Sequence, residues 1–509
     1  MFRFHAFVLP LVIGLVGCGD GDGDGNAGGS GGAGGGDSSV WPCTEQGVRD
    51  AVEAGGGPHT FSCDGPTVVT TEGTIEISGE VILDGENNLT LSGNQSHRIF
   101  FLERRGFADL RNMTLTQGNA DGAGGAILND GGDLLLEGCI VTDNEASSFG
   151  GGIVSSQGLL EIVGSNITRN EAPQAGGISC TGTVSIDSSD ITANVGRGIS
   201  CAGQVTIVDS VISDNEGGGV SIEGTVQISG SNIDRNRSEI PGGGIYNSGH
   251  LVLNDSWVSE NEAVRGGGIF NEGSLSMNST TVAGNNAQAG GGIFSSDQRL
   301  GEGLQLLAIA WMDIGHSTIS GNTAERGAGI SSVAFRLAVW NTTISGNVAT
   351  QEGGGVLIRT TLLGPSTNNF DANTIVENIA SETSAIRATG ETPMLRLSGN
   401  IIEGDCTVSG GALLRSGGHN IESPGDTCGL DDSSDLANVT NEQLSLASLE
   451  NNGGDTQTHL PMTGSVAIDR IPIEDCASVL PPASPLVDQR FIERPQGPGC
   501  DVGSAEVGP

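Results

Sequence analysis

An all-β fold, a parallel β-helix, is what this sequence predicts, and three observations carry the prediction. A glycine cluster followed by Ile or Val, then two short strands and Ile/Val-x-x-Asn, recurs from Met113 onward, as in Gly242 to Ala263 and again in Gly266 to Ala287. Glycine supplies 85 of 509 residues, about one in six against a usual ~7 %. The strands between glycine clusters alternate apolar and polar positions, as in Leu251-Val252-Leu253 and Val226-Gln227-Ile228, the period of a half-buried strand.

The repeat is read first, because it fixes everything else. The closing asparagines are Asn119, Asn144, Asn170, Asn194, Asn215, Asn236, Asn261, Asn285, Asn322, Asn347 and Asn378, spaced 25, 26, 24, 21, 21, 25, 24, 37, 25 and 31 residues apart. A period in the low twenties is too short for a propeller blade or a helical pair, and the leucine-rich consensus is absent. It fits one coil of a β-helix whose strands pair with the same strands above and below. Glycine supplies the sharp turns. Asparagine tolerates the left-handed conformation, and stacked asparagines form amide ladders. With two earlier coils, roughly Val68 to Gly118, the count is about 13 coils, a rod of ~60 Å at ~4.8 Å per coil.

Composition narrows the function. Basic residues number 21, all arginine, against 61 acidic, so the formal charge is −40. Such a surface repels phosphate backbones, which argues against nucleic acid. Anionic lipid and polyuronates are disfavoured too, unless cations mediate.

The first residues read as an address. Arg3 and His5 precede an apolar run from Ala6 to Val16, too short to span a bilayer. It ends in Leu15-Val16-Gly17-Cys18, which resembles the lipobox of bacterial lipoproteins. The resemblance implies a signal peptide over 1–17, lipidation at Cys18, and, with Gly19 following, sorting to the outer membrane. Residues 18–39 alternate Asp, Gly and Ser and read as a flexible tether with a reach of ~26 Å.

The paired GGGI and Ile/Val-x-x-Asn motifs resemble the repeats of polymorphic outer membrane proteins, with Ile or Val here in place of Phe. More broadly they are similar to bacterial right-handed β-helix repeat proteins of the pectin-lyase-like fold. The resemblance implies a right-handed β-helix over 67–405, and it implies fold rather than activity, because that fold carries enzymes and adhesins alike.

Both ends of such a rod need covers. Over 40–66, Val48, Ala51 and Val52 lie at helical spacing with Gly55 following, which predicts a short capping helix bracketed by Cys43 and Cys63. The segment resembles the CSLREA stretch that opens many secreted β-helix proteins. Over 406–509 the repeat decays. Asn452, Gly453, Gly454, His459, Asp488, Arg490 and Cys500 occupy signature positions of the choice-of-anchor Q domain, which this end resembles. The resemblance implies a C-terminal cap and no catalytic role; Arg490 is expected to pair with carboxylates inside it.

Cysteine usage agrees with export. Cys18 aside, nine remain. Local disulfides are expected for Cys43–Cys63, Cys406–Cys428 and Cys476–Cys500. Cys180 and Cys201 fall on adjacent coils with Cα atoms ~5 Å apart, as a disulfide or as a stack of free thiols. Cys139 is left over as a buried hydrophobe. No cysteine pair has zinc spacing. No metal or cofactor is expected, Ca2+ remaining open.

Two regions are candidate sites. The 37-residue coil between Asn285 and Asn322 carries Asp297, Arg299, Glu302, Asp313 and His316, a set from which acid/base chemistry could be built. On three consecutive coils the residue after the Ile is Tyr246, Phe270 and Phe294, predicting an exposed aromatic stripe suited to sugar rings or a protein partner. The functional expectation is a monomeric, lipid-anchored cell-surface protein that binds a glycan or a cell-surface protein without turnover. The alternative is a polysaccharide lyase or glycoside hydrolase.

Overall fold

The computed structural model describes residues 39–296, 310–333, 336–359, 366–390 and 393–508. The signal peptide, Cys18 and the tether lie outside them. The chain is an all-β right-handed parallel β-solenoid of about 13 turns. Its three long sheets hold 16, 16 and 15 strands, two of the second sheet's strands lying beside its main path, and a four-stranded sheet runs alongside.

Registers are set residue for residue by the repeat. Ile245, Ile269, Ile293 and Ile330 pair in sequence in the second sheet, and all four are fully buried. Leu251, Leu275, Met312 and Leu337 do the same in the first. These inward columns merge into one core running from Val48 to Cys428. A one-residue slip of any strand would turn its apolar column outward, which is why coil after coil keeps register.

The asparagines form the expected ladder, buried from end to end. The Nδ2 of Asn170 donates to Asn194 Oδ1 at 3.1 Å, that of Asn194 to Asn215 at 2.9 Å, and so on to Asn347 and Asn378 at 2.9 Å. Two expectations need correcting. Asn119 is not a rung: Gly118 donates its N–H to Asn144 Oδ1 at 2.8 Å, while Asn119 pairs one position on, with Glu145. The left-handed conformation falls not on the asparagines but on the residue before them, among them Arg169, Ala193, Asp214, Arg235 and Glu260, all with φ between 51° and 56°. That kink swings the next amide inward, where a side-chain oxygen of the following coil receives it.

A second ladder stands beside the first. Ser165, Ser189, Ser210, Ser231, Ser256, Thr280, Ser317 and Thr342 each use a hydroxyl to accept the N–H of the equivalent residue one coil earlier. Asn373, Asn400 and Asn420 then take over the same role. Glycine is required at the corner that follows. A Cβ on Gly268 would stand 2.7 Å from Gly292 O and 2.9 Å from Asn285 Nδ2.

At the N-terminal end, a helix over Glu45–Ala54 covers the first coil. Thr44 caps it by accepting from Gly47 N, and Gly55 ends it at φ 64°. Val48 and Ala51 face the core. At the other end, parallel pairing continues through Ile421–Ser423. The remaining chain folds back along the outside of the third sheet. Thr318 Oγ1 donates to Gln457 O at 2.6 Å, Asn341 Nδ2 to Val487 O at 2.8 Å, and Ser504 N to Thr374 Oγ1 at 3.0 Å. This segment has its own core around Val439, Ala467, Cys476, Val479 and Val502. Beside that core lie buried ion pairs, Asp488 with Arg490 at 2.7 Å and Arg494 with Glu506 at 3.3 Å.

Candidate functional site

Of the acid/base candidates of the long coil, Asp313 and His316 are among the described residues. Asp297, Arg299 and Glu302 lie outside the described residues. Asp313, on the strand Trp311–Gly315, accepts a hydrogen bond from Trp340 Nε1 at 2.9 Å. His316 faces the C-terminal segment and not solvent. It is buried, with its ring stacked on Phe491 at 4.2 Å, edge-on to Trp340 at 4.6 Å, and its Nδ1 3.4 Å from Gln489 O. Burial pulls its pKa down. The C-terminal segment seals His316 against the rod, so it holds the cap in place.

The aromatic stripe exists, but it is not an exposed platform. Tyr246 and Phe270 stack at 5.5 Å and 12°, and Phe270 and Phe294 at 5.4 Å and 1°. Phe270 is 3 % exposed and Phe294 8 %. In-register pairing directs the ring faces along the rod axis, at each other, so no face is left open to stack on a sugar. The outer face of Tyr246 carries the Arg197 guanidinium at 5.2 Å from its centroid. Its hydroxyl donates to Glu272 Oε2 at 2.7 Å.

What the stack does border is a recess of about 790 Å3. Its cause is coil length. From ladder asparagine to the next inward Ile or Val the chain takes eight residues after Asn170 (178 − 170) and nine after Asn236 (245 − 236), but five after Asn194 (199 − 194) and Asn215 (220 − 215). The two shortened coils sink below their neighbours. The arm through Pro173 and Gln174 forms one wall, and the arm from Ser238 to Pro241 the other. Arg197, Glu216, Glu223, Tyr246 and Glu272 line the space between.

The chemistry of the recess is mixed. Arg197 is half-buried, and desolvation lowers its pKa. Among the described residues it makes no hydrogen bond or ion pair; the Tyr246 ring is its contact. Burial first, then the Glu272 hydrogen bond, pushes the Tyr246 phenol up to about 12. A tyrosine that abstracts protons needs the opposite shift. The sequence signal for this site was the pair of 21-residue spacings, which marks the two shortened coils.

Four disulfides are formed, Cys43–Cys63, Cys180–Cys201, Cys406–Cys428 and Cys476–Cys500. The open choice at Cys180 and Cys201, whose Cα atoms are 4.6 Å apart, is thereby a disulfide. Cys139 is free and buried, its thiol pushed up to about 12 by desolvation. Among the described residues no three His, Cys, Asp or Glu side chains gather as a cation set.

Residues 97–286 match a family model described as the right handed beta helix region. The match spans the coils that build the recess and supports the solenoid. No curated protein and no solved structure matches the chain.

Proposed function

We propose that this chain is an exported surface protein, anchored by lipid at Cys18, whose rod serves as a non-enzymatic binding or adhesion module of the cell envelope. The single observation that carries the reading is the recess at Arg197. A desolvated guanidinium without a protein acceptor, in a cleft between two arms, is suited to hold a ligand. The protonated Tyr246 and the diversion of Asp313 and His316 to structural contacts favour binding over turnover. The anchor and the choice-of-anchor Q-like cap belong to the same reading, the first from Leu15 to Cys18 and the second from Asn452 to Cys500.

One observation favours a second reading, a glycoside hydrolase. Glu223 and Glu272 each follow a residue of one register column, Ile222 and Asn271, two rungs apart with Asn247 between. Two rungs are about 10 Å, close to the carboxylate separation of an inverting enzyme, about 6.5–9.5 Å.

Two measurements test this. Expression of the full chain and of Cys18→Ser is expected to place the first with the outer membrane and the second in the soluble fraction; equal partition would remove the anchor. Incubation with a panel of neutral and uronate polysaccharides, with and without Ca2+, is expected to release no reducing ends or unsaturated products. Turnover abolished by Glu272→Gln would replace binding by hydrolysis.

A further inference from the structure

Resting on the binding reading, we infer that the recess over the two shortened coils is the ligand site, and that it takes an uncharged polysaccharide chain lying along the rod.

The geometry sets the direction. The lining comes from five successive coils, from Gln174 on the first to Glu272 on the fifth. Four rung intervals are about 19 Å, long enough for several sugar units in a row. Ser200, Ser221, Tyr246 and Phe270 line the recess as one register column on four of these coils, so its floor runs along the rod axis beside the two arms.

The polar groups set the ligand's chemistry. Arg197 offers donors and has no protein acceptor among the described residues. Glu216 and Glu223 are exposed at the same recess and offer only acceptors. A ligand must therefore supply acceptors and donors side by side, which the hydroxyl groups of a sugar do. Charge excludes the ionic classes. Two arginines, Arg197 and Arg265, face four glutamates, Glu216, Glu223, Glu239 and Glu272, on a body of formal charge −40. A polyanion would be repelled by the surroundings, and a polycation, though drawn by them, would set its own positive groups against Arg197, which needs an acceptor. The stacked rings contribute edges and a rigid floor instead of a stacking platform. Recognition therefore falls to hydrogen bonds, and Arg197 is its centre.

The test is affinity electrophoresis of the full chain through gels containing dextran, galactomannan or mixed-linkage β-glucan, with polygalacturonate and glycol chitosan gels alongside. Retardation is expected in at least one neutral gel, and in neither charged one. Arg197→Ala and Glu223→Gln should each weaken the retardation at least tenfold with unchanged melting temperature. Arg169→Ala, on an exposed ion pair with Asp143 outside the recess, should leave it unchanged. Retardation only in a charged gel, no retardation in any, or full retardation of both recess variants would each overturn the inference. Adhesion of purified chain to whole cells, measured in parallel, separates the two levels. If adhesion persists when the gels fail, the binding module stands and the neutral-glycan site falls; if both fail, so does the module.

Discussion

Asn194 is tied twice to Asn215. Its backbone N–H donates to Asn215 Oδ1 at 3.0 Å and its Nδ2 to the same oxygen at 2.9 Å. Asn215 Nδ2 also donates to Ile191 O at 3.0 Å. Each asparagine thus stitches its own coil to both neighbours. Replacing Asn215 by Ala would orphan the N–H of Asn194, leave Asn194 Nδ2 with its bond to Ile167 O alone, and take a donor from the Ile191 carbonyl. At about 1–3 kcal/mol for each buried group left unpaired, Asn215→Ala should cost roughly 3 kcal/mol or more, measured by urea unfolding. A loss under 1 kcal/mol would mean that the ladder is ornament on a core stable without it.

Tyr246 is the sole tyrosine, so phenolate absorbance near 295 nm follows it alone. In the folded protein the midpoint should lie at about 12, and after unfolding near 10. Because the folded value is raised, the contribution to stability is complete below pH 10 and is lost as pH rises through 12. A native midpoint near 10 would show that Glu272 and burial do not hold the phenol.

Two buried groups should shift stability in opposite directions on the acid side of neutrality. Asp371 is 5 % exposed, and burial raises its pKa to about 6 despite the Arg396 partner at 2.9 Å. Its contribution is full below about pH 4 and is lost as pH rises through 6. His316, lowered by burial, contributes fully above its ordinary value near 6.5 and loses that contribution as pH falls below it. The variant Asp371→Asn should therefore flatten the stability profile between about pH 4 and 6, by at most roughly 3 kcal/mol. His316→Gln should flatten the decline below pH 6.5, while Phe491→Ala, by admitting water to the ring, should raise the pKa of His316 in an NMR titration. Unchanged profiles would show that neither group is coupled to folding.

Thiol counting checks the cysteines. In a Cys18→Ser chain nine cysteines remain and eight are paired, leaving one, Cys139. The native protein should be inert to a thiol reagent, since Cys139 is buried and its thiol lies far above neutral pH. Denatured without reductant it should react once. Three reactive thiols would mean that Cys180 and Cys201 are unbridged.

The rod was legible because its signals are local and repeated. One asparagine per coil marks the closing corner, and the alternation around Leu251 or Val226 marks which side faces in. The hydroxyl ladder escaped because a serine at a turn has several uses and only its stacked neighbours reveal this one. The aromatic column was legible as a column, but not the fate of its faces, which depends on the in-register spacing of Tyr246, Phe270 and Phe294. His316 misled because its partners Gln489 and Phe491 lie more than 170 residues away. No periodicity reports such a contact.

The shortened connections after Asn194 and Asn215 carry a consequence for how such a rod diversifies. Most clefts on elongated scaffolds are walled by adding loops, whose conformation must then be stabilised. Here the cleft is an omission, and both its floor and its walls are ordinary rungs. Removing four residues between Asn236 and Ile245 would carry the gap onward by another rung, and restoring three after Asn194 would narrow it. A ligand footprint could thus be lengthened, shifted or erased by small in-frame indels that leave the inward columns untouched.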